Sequence, residues 1–364
     1  MDLILDALVE RIRAAAERGT PLRIRGGGSK DFYGENAAGE LLDTQPLAGI
    51  ASYEPTELVV TAYAGTPLAQ LEATLAERGQ CLPFEPPHFA GGATVGGMVA
   101  AGLSGPPRAS AGAVRDFVLG ITLVNGRGEV LTFGGQVMKN VAGYDVSRLV
   151  TGSLGTLGLI VDVSLKVLPV APGEATLRFE LDQQQALERM ADWGGQPLPL
   201  NASCWFEHAG IATLLLRLRG ARAAVESACR ALGGERLDSA QAASDWRLCR
   251  DQRLPWFGEC GERELWRLSV AQTAPVLDLP DAPLVEWHGG QRWVRIEPGA
   301  GASLRDAAAR AGGHATLFAP APHAAASAGR FAPLAPPLDR IHRELKRQFD
   351  PKGILNRGRL YPDF

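Results

Sequence analysis

The sequence predicts an α+β protein with a glycine-rich first half and a tryptophan-rich second half, and three observations carry that reading. Between positions 86 and 169, glycine-rich loops alternate with short β-branched runs at 118–124, 129–133 and 159–167. That is the pattern of a backbone approaching a ligand closely between strands that hold it rigid. Beyond Pro169 the order of periodic runs becomes β-α-β-β-α, that of a split βαβ sheet, and a second set follows it. All seven tryptophans, Trp193, Trp205, Trp246, Trp256, Trp266, Trp287 and Trp293, fall in that second half. The expected division is 1–170 for the first domain and 171–322 for a ferredoxin-like α+β cap. An Ala/Pro-rich linker at 323–338 and a C-terminal helix and tail at 339–364 complete it.

Taken in order, residues 1–19 form an amphipathic helix, with acidic residues among the apolar ones and no basic leader or cleavage site. A short strand at 22–25 runs into Gly26, Gly27, Gly28, Ser29 and Lys30. Next come a strand at 58–62, Pro67 suited to a first helical turn, a helix over 68–78 and a stop at Gly79. Pro83, Pro86 and Pro87 then deliver an extended segment into the glycine-rich stretch at Gly91. The runs 118–124 and 129–133 read as a hairpin, because Asn125-Gly126 is the strongest short turn signal. A second glycine cluster at 151–160 precedes an alternating strand that ends before Pro169.

In the second half, strands at 174–181, 203–208 and 212–219 and helices at 183–193 and 222–232 make the first set. A strand at 264–270, a hairpin joining 284–288 to 291–296 through Gly289-Gly290, a helix at 303–311 and a strand at 314–319 make the second. A helix at 339–349, stopped by Asp350-Pro351, leads to the tail. For the tryptophans two readings stand: core aromatics of the sheet, or a docking surface. Trp256, in the loop LPWFGE, is the candidate for the second.

Composition excludes several functions. A formal net charge of −3, with 46% hydrophobic and 21% charged residues, leaves no basic footprint for nucleic acid. No stretch approaches the ~18 apolar residues of a transmembrane helix. Five scattered cysteines, Cys81, Cys204, Cys229, Cys249 and Cys260, lack the short motifs that hold zinc or an iron–sulfur cluster. They read as inert thiols of a cytoplasmic protein.

Two features carry ligand chemistry. Consecutive glycines at 26–28 let backbone N–H groups converge as an anion nest, although a plain surface turn has the same composition. The run fits neither known phosphate loop: Asp31 stands where GxGxxG needs a glycine, and Ser29 stands where a Walker loop needs one. The small residues Ala93, Thr94, Gly96, Gly97, Ala100, Ala101, Gly102, Ser104 and Gly105 allow either close approach to a flat ring or a pyrophosphate, or tight helix packing.

Read together, RGGGS at 25–29, FEPP followed by ATVGG at 93–97, RDFVLG at 115–120, KNVAGYDVSRL at 139–149 and GSLGTLG at 152–158 resemble the vanillyl-alcohol-oxidase (PCMH-type) flavoproteins. The closing FDPKGILNRGRLYPDF is similar to the FAD-binding subunits of glycolate oxidases. The resemblance implies a PCMH-type FAD-binding domain of two α+β subdomains, with the tail folded back on it. It implies FAD held by Gly26, Gly27, Gly28 and Ser29 at the pyrophosphate, with the Gly96-Gly97 region. Asp116, Gly152, Gly155, Thr156 and Ile160 would line the adenosine or ring portions, and Arg25, Pro87, Ala93 and Thr94 complete the set. Lys139, Asn140, Tyr144 and Asp145 lie in the motif nearest the reactive face, where Lys139 or Tyr144 would polarise the substrate or the flavin.

Related enzymes often attach flavin through a histidine in the phosphate loop; none stands between Arg25 and Gly34, so non-covalent FAD is expected. His88 has two readings, one near the ring and one structural. The cap motif of longer 2-hydroxy-acid dehydrogenases is missing, since only His314 and His323 occur there; no catalytic metal is expected. Arg108, Arg115 and Arg148 are available to clamp a carboxylate, none singled out. The resemblance implies a small 2-hydroxy acid as substrate and two partners, a homologous FAD-containing catalytic subunit and an iron–sulfur subunit. It implies a cytoplasmic protein that meets the inner membrane only through that complex. The alternatives are a non-catalytic assembly subunit, or the FAD subunit of a molybdenum hydroxylase.

Overall fold

The computed structural model describes residues 1–135, 144–322 and 329–364. They divide into two compact units. The first comprises Met1–Leu103, Ala113–Pro169 and Pro333–Phe364; the second comprises Ser104–Gly112 and Val170–Ala332. The nine residues Ser104–Gly112, inside the stretch expected to form one ligand bed, thus belong to the second unit.

The first unit is built on an antiparallel five-stranded sheet, in the order Ile50–Glu54, Val59–Tyr63, Leu159–Lys166, Val118–Val124 and Val130–Gly134. Its central strands are β-branched and almost continuously buried, as a sheet covered on both faces requires. One core gathers Val60, Ala62, Ile121, Val163 and Leu165 with the helices Leu68–Ala76 and Val95–Ala101. A second core gathers Val124, Leu159 and Val161 with the helix Asp2–Arg18 and the tail residues Ile354 and Leu355. That helix buries Leu8, Val9, Ile12 and Ala15 on one face and ends at Gly19 in the left-handed region. Beside it a parallel two-stranded sheet pairs Leu22–Arg25 with Glu40–Asp43.

The strands at 40–43 and 50–54 are absent from the sequence reading, because neither alternates cleanly between apolar and polar residues. The expected hairpin forms, but with a different turn. Asn125 Oδ1 accepts the Arg127 and Glu129 N–H groups, and the positive φ falls on Gly128, not Gly126. Gly126 is small for another reason: its N–H donates to the Phe349 carbonyl, and a Cβ there would lie 2.8 Å from Asp350 Cα.

In the second unit the two expected sets join in one antiparallel eight-stranded sheet. Its order is Glu235–Arg236, Gly173–Glu180, Ile211–Gly220, Leu200–His208, Leu284–Glu286, Gln291–Ile296, Glu264–Ser269 and His314–Ala319. The helix Gln183–Gly194 starts at a capping box, Asp182 with Gln185. A helix at Ser239–Arg250, absent from the sequence reading, is capped by Asp238.

All seven tryptophans are buried, which favours the core reading and corrects the docking role given to Trp256. That side chain is 1% exposed, packed edge-on against Phe257 and beneath the Arg295 guanidinium, 4.1 Å from the ring centre. The strand expected to reach 288 stops at Glu286. Trp287, His288 and Gly289 all take positive φ, and this corner holds the 104–112 segment: Trp287 Nε1 donates to the Gly105 carbonyl and His288 Nε2 pairs with Ser110 Oγ at 2.9 Å. Among the described residues no helix is long and apolar enough to cross a membrane.

Candidate functional site

The first unit contains a cavity of about 320 Å³. Its walls come from the strand Leu22–Arg25 and the turn after it, from Asn36, Ala37, Thr44 and Ala64, from the helix Val95–Ala101 with its cap Thr94, from the loop before Leu159 with Ile160, and from the tail. Of the residues expected to bind cofactor, Arg25, Gly26, Gly27, Gly28, Ser29, Thr94, Gly96, Gly97, Gly155 and Ile160 meet here.

The glycine turn is built differently from a simple nest. Only Gly28 of the three has positive φ, at 76°. A Cβ on Gly26 would run into Thr94 Oγ1, and one on Gly27 into the Gly92 carbonyl. The first two glycines therefore let the turn close onto the 92–94 segment. Thr94 caps the helix Val95–Ala101 by accepting the Gly97 N–H at 3.2 Å. Gly96 lies against Ala64, whose Cβ would be 2.6 Å from an added methyl. Gly97 differs: an added Cβ would meet only Thr94 Oγ1, at 3.1 Å, and otherwise open space.

The cavity wall mixes two kinds of residue. Ala64, Ala100, Ala101, Leu154 and Ile160 are small or apolar groups that a flat ring can lie against. Beside them the wall carries four cations, Arg23, Arg25, Lys30 and Arg359, and one carboxylate, Asp31, among the described residues. Asp31 is engaged with Arg25, Oδ2 to Nε at 2.6 Å. Arg23 is half-buried, and its side chain makes no hydrogen bond or ion pair among the described residues. An excess of cations beside a glycine turn suits an anionic, phosphate-bearing ligand.

Two wall residues, Asn356 and Arg359, lie in the tail and were not singled out from the sequence. Asn356 Oδ1 accepts the Ile24 N–H at 2.7 Å, and its Nδ2 donates to the Leu154 carbonyl at 2.6 Å. Arg359 donates to the carbonyls of Glu35, Lys30 and Asp31 at 2.6, 3.1 and 3.0 Å. Behind them Lys346 Nζ, on the helix Leu338–Phe349, bonds to Asp350 and to the carbonyls of Thr156 and Leu355. Burial pushes the Lys346 ammonium below its ordinary pKa, and the Asp350 carboxylate works against that shift. The signal that could have found Asn356 is an asparagine between apolar Ile354-Leu355 and a glycine, inside a motif already tied to the first half.

The other expected residues sit off this wall. Pro87 and Ala93 are buried. Asp116 accepts the Ala113 N–H at 2.8 Å. Asp145 caps the helix Val146–Val150 and pairs with Arg148 at 3.0 Å. Gly152 donates its N–H to the Val99 carbonyl, and Thr156 directs its hydroxyl to the Ser153 carbonyl. Tyr144 is 76% exposed. Lys139, Asn140 and His323 lie outside the described residues. His88 pairs with Glu72 at 2.9 Å, the structural one of its two readings.

Comparison with known proteins accords with this geometry. Residues 5–134 match the FAD binding domain family. The chain is 46% identical over 357 residues to glycolate oxidase subunit GlcE of Escherichia coli (strain K12), covering 98% of this chain and 97% of that protein. Glycolate oxidase subunit GlcD of Bacillus subtilis (strain 168) is 27% identical over 47% of this chain and 37% of its own length. The structure of an alkyldihydroxyacetonephosphate synthase superposes with a TM-score of 0.65 at 14% identity, covering 96% of this chain and 75% of that one, which establishes the shared fold. The cofactor is FAD, and a wall that combines small residues with an excess of cations suits a molecule with a flat ring and a diphosphate. The chain belongs to the family of the glycolate oxidase subunit GlcE, within the FAD-dependent oxidoreductases.

Proposed function

We propose that this chain is the FAD-binding subunit of a glycolate oxidase complex, which oxidises glycolate to glyoxylate and passes electrons to an iron–sulfur partner subunit. The observation that carries the reading is the cavity itself, lined by small residues and by four cations against one carboxylate among the described residues, in a chain similar to GlcE over 98% of its length. FAD, when bound, supplies the acceptor for the hydride of a 2-hydroxy acid and a route for single electrons.

The chain's own residues bind and orient. The turn at 26–29 would offer backbone N–H groups and the Ser29 hydroxyl to the diphosphate, with Arg23 and Lys30 neutralising its charge. Gly97, Ala100 and Ala101 would leave room for the flat ring, and Ile160 would add apolar surface to the wall. We read the cofactor as non-covalent, because the walls offer no histidine among the described residues.

A second reading, a subunit that assembles the complex and carries a flavin without turning over substrate, has one observation in its favour. Oxidation of a hydroxy acid needs a base for the hydroxyl proton. Among the described residues, the one carboxylate on the wall is engaged by Arg25. Purification of the chain alone tests both readings. A yellow protein that reduces a dye with glycolate by itself supports the catalytic reading. One that does so only after partner subunits are added supports the second. A colourless protein that takes up no added FAD removes both.

A further inference from the structure

We propose that Asn356 is a positioning residue for FAD: its carboxamide sets the gap between the strand that leads into the glycine turn and the loop that carries Gly155. The proposal rests on the assignment of the cavity to FAD and adds a role for the tail.

Asn356 is 5% exposed and 332 residues from Ile24, yet it joins two walls of the cavity through one planar group. The acceptor end takes the Ile24 N–H and the donor end reaches the Leu154 carbonyl. Its own backbone N–H donates to the Leu22 carbonyl at 2.9 Å, and Leu355 forms a single parallel bridge with Leu22, so the tail is tied to Leu22–Arg25 through its backbone as well. On the opposing loop, Gly155 takes φ 75°, and a Cβ there would lie 2.6 Å from Asn356 Nδ2. A bare position is what admits the amide.

Residue chemistry narrows the choice to asparagine. The site needs one donor and one acceptor on a short side chain, at a backbone φ of 42° that asparagine tolerates better than most residues. Aspartate has the same shape but would turn a carboxylate oxygen toward the Leu154 carbonyl. The anchor behind Asn356 bears on the same contact, because Lys346 bonds to the carbonyls of both Thr156, in the loop, and Leu355, next to Asn356. Three residues further on, Arg359 ties the tail to the segment after the glycine turn. The tail thereby holds three separately encoded walls at one spacing, and a wall displaced by an ångström loses its hold on a ligand made of rigid parts.

The test titrates FAD into the apoprotein of the full chain, followed by flavin fluorescence, alongside thermal melts with and without FAD. Asn356→Asp is expected to weaken FAD binding by about 10- to 100-fold, because it keeps the acceptor for Ile24 but loses the donor to the Leu154 carbonyl and sets a carboxylate oxygen against it. The rise in Tm on adding FAD should shrink accordingly, while the melt of the apoprotein moves less. Asn356→Gly, which accepts the positive φ and keeps the backbone bonds, should show the same loss and covers the case in which the aspartate variant does not fold. Wild-type affinity in either folded variant overturns the positioning role, even if the apoprotein melts lower. A wild-type chain that binds no FAD overturns the cavity assignment together with the proposal.

Discussion

Lys346 and Asp350, one helical turn apart, form a buried ion pair with Nζ 2.7 Å from Oδ2, and neither side chain is more than 8% exposed. Further hydrogen bonds hold both groups. The ammonium donates to two carbonyls, and the carboxylate accepts the N–H groups of Ile354 and Leu355. Removing one member leaves the other charge buried without its partner, at a cost of about 3–5 kcal/mol. Lys346→Met should therefore lower the urea midpoint markedly. The double variant Lys346→Met/Asp350→Asn should recover part of that loss, a coupling that a double-mutant cycle reads directly.

Gly96 and Gly97 should behave in opposite ways. A methyl on Gly96 meets Ala64 at 2.6 Å, so Gly96→Ala should cost about 1–3 kcal/mol of stability through overpacking. At Gly97 the new side chain enters the cavity. Gly97→Leu should leave the apoprotein at least as stable, since leucine favours a helix by up to ~1 kcal/mol over glycine, yet abolish FAD binding. Retained FAD occupancy would remove this cavity as the cofactor site.

His288 carries a pH prediction. Its imidazole is held at a pKa lowered to about 4 by burial, against an ordinary 6.5. The unfolded chain therefore binds the extra proton more readily between those values. Stability is fully present above pH ~6.5 and falls as the pH drops toward about 4. The loss attributable to this group is on the order of 2 kcal/mol, discounted because the residue is partly exposed. Denaturant melts from pH 7 to pH 4 should show a shallower decline in His288→Asn, which tolerates the positive φ at that corner.

Non-covalent binding has a direct assay. Acid precipitation of the yellow protein should release all of the flavin to the supernatant. Yellow colour on the washed pellet would require a covalent link elsewhere in the chain.

Much of the fold was legible because it rests on local signals. The helices at 2–18 and 183–194 follow apolar periodicity, and the long strands follow β-branched runs. The missed strands at 40–43 and 50–54 are short and weakly patterned, held by neighbours distant in sequence. The turn glycine at 126 was misread for the same reason. Asn-Gly is a local signal, whereas Gly126 answers to Asp350 and Phe349, more than 200 positions away. At the cavity, ten wall residues follow from the family resemblance, and six of them, Gly26, Gly27, Gly28, Gly96, Gly97 and Gly155, are glycines, the residues that let a backbone come close to a neighbour. Asn356 and Arg359 carried no such mark. Their side chains are ordinary, and what distinguishes them is which carbonyls they reach.

By itself the sequence determined the class of fold, the two glycine clusters and the family, since periodicity and backbone permissiveness are properties of neighbouring residues. Only the tertiary structure decided which of those residues share a cavity, that the tryptophans are core, and that the tail closes the site. Those outcomes depend on hydrogen bonds such as Asn356 to Ile24, formed between segments that sequence proximity does not relate. Their energy is realised only when the chain between them has folded.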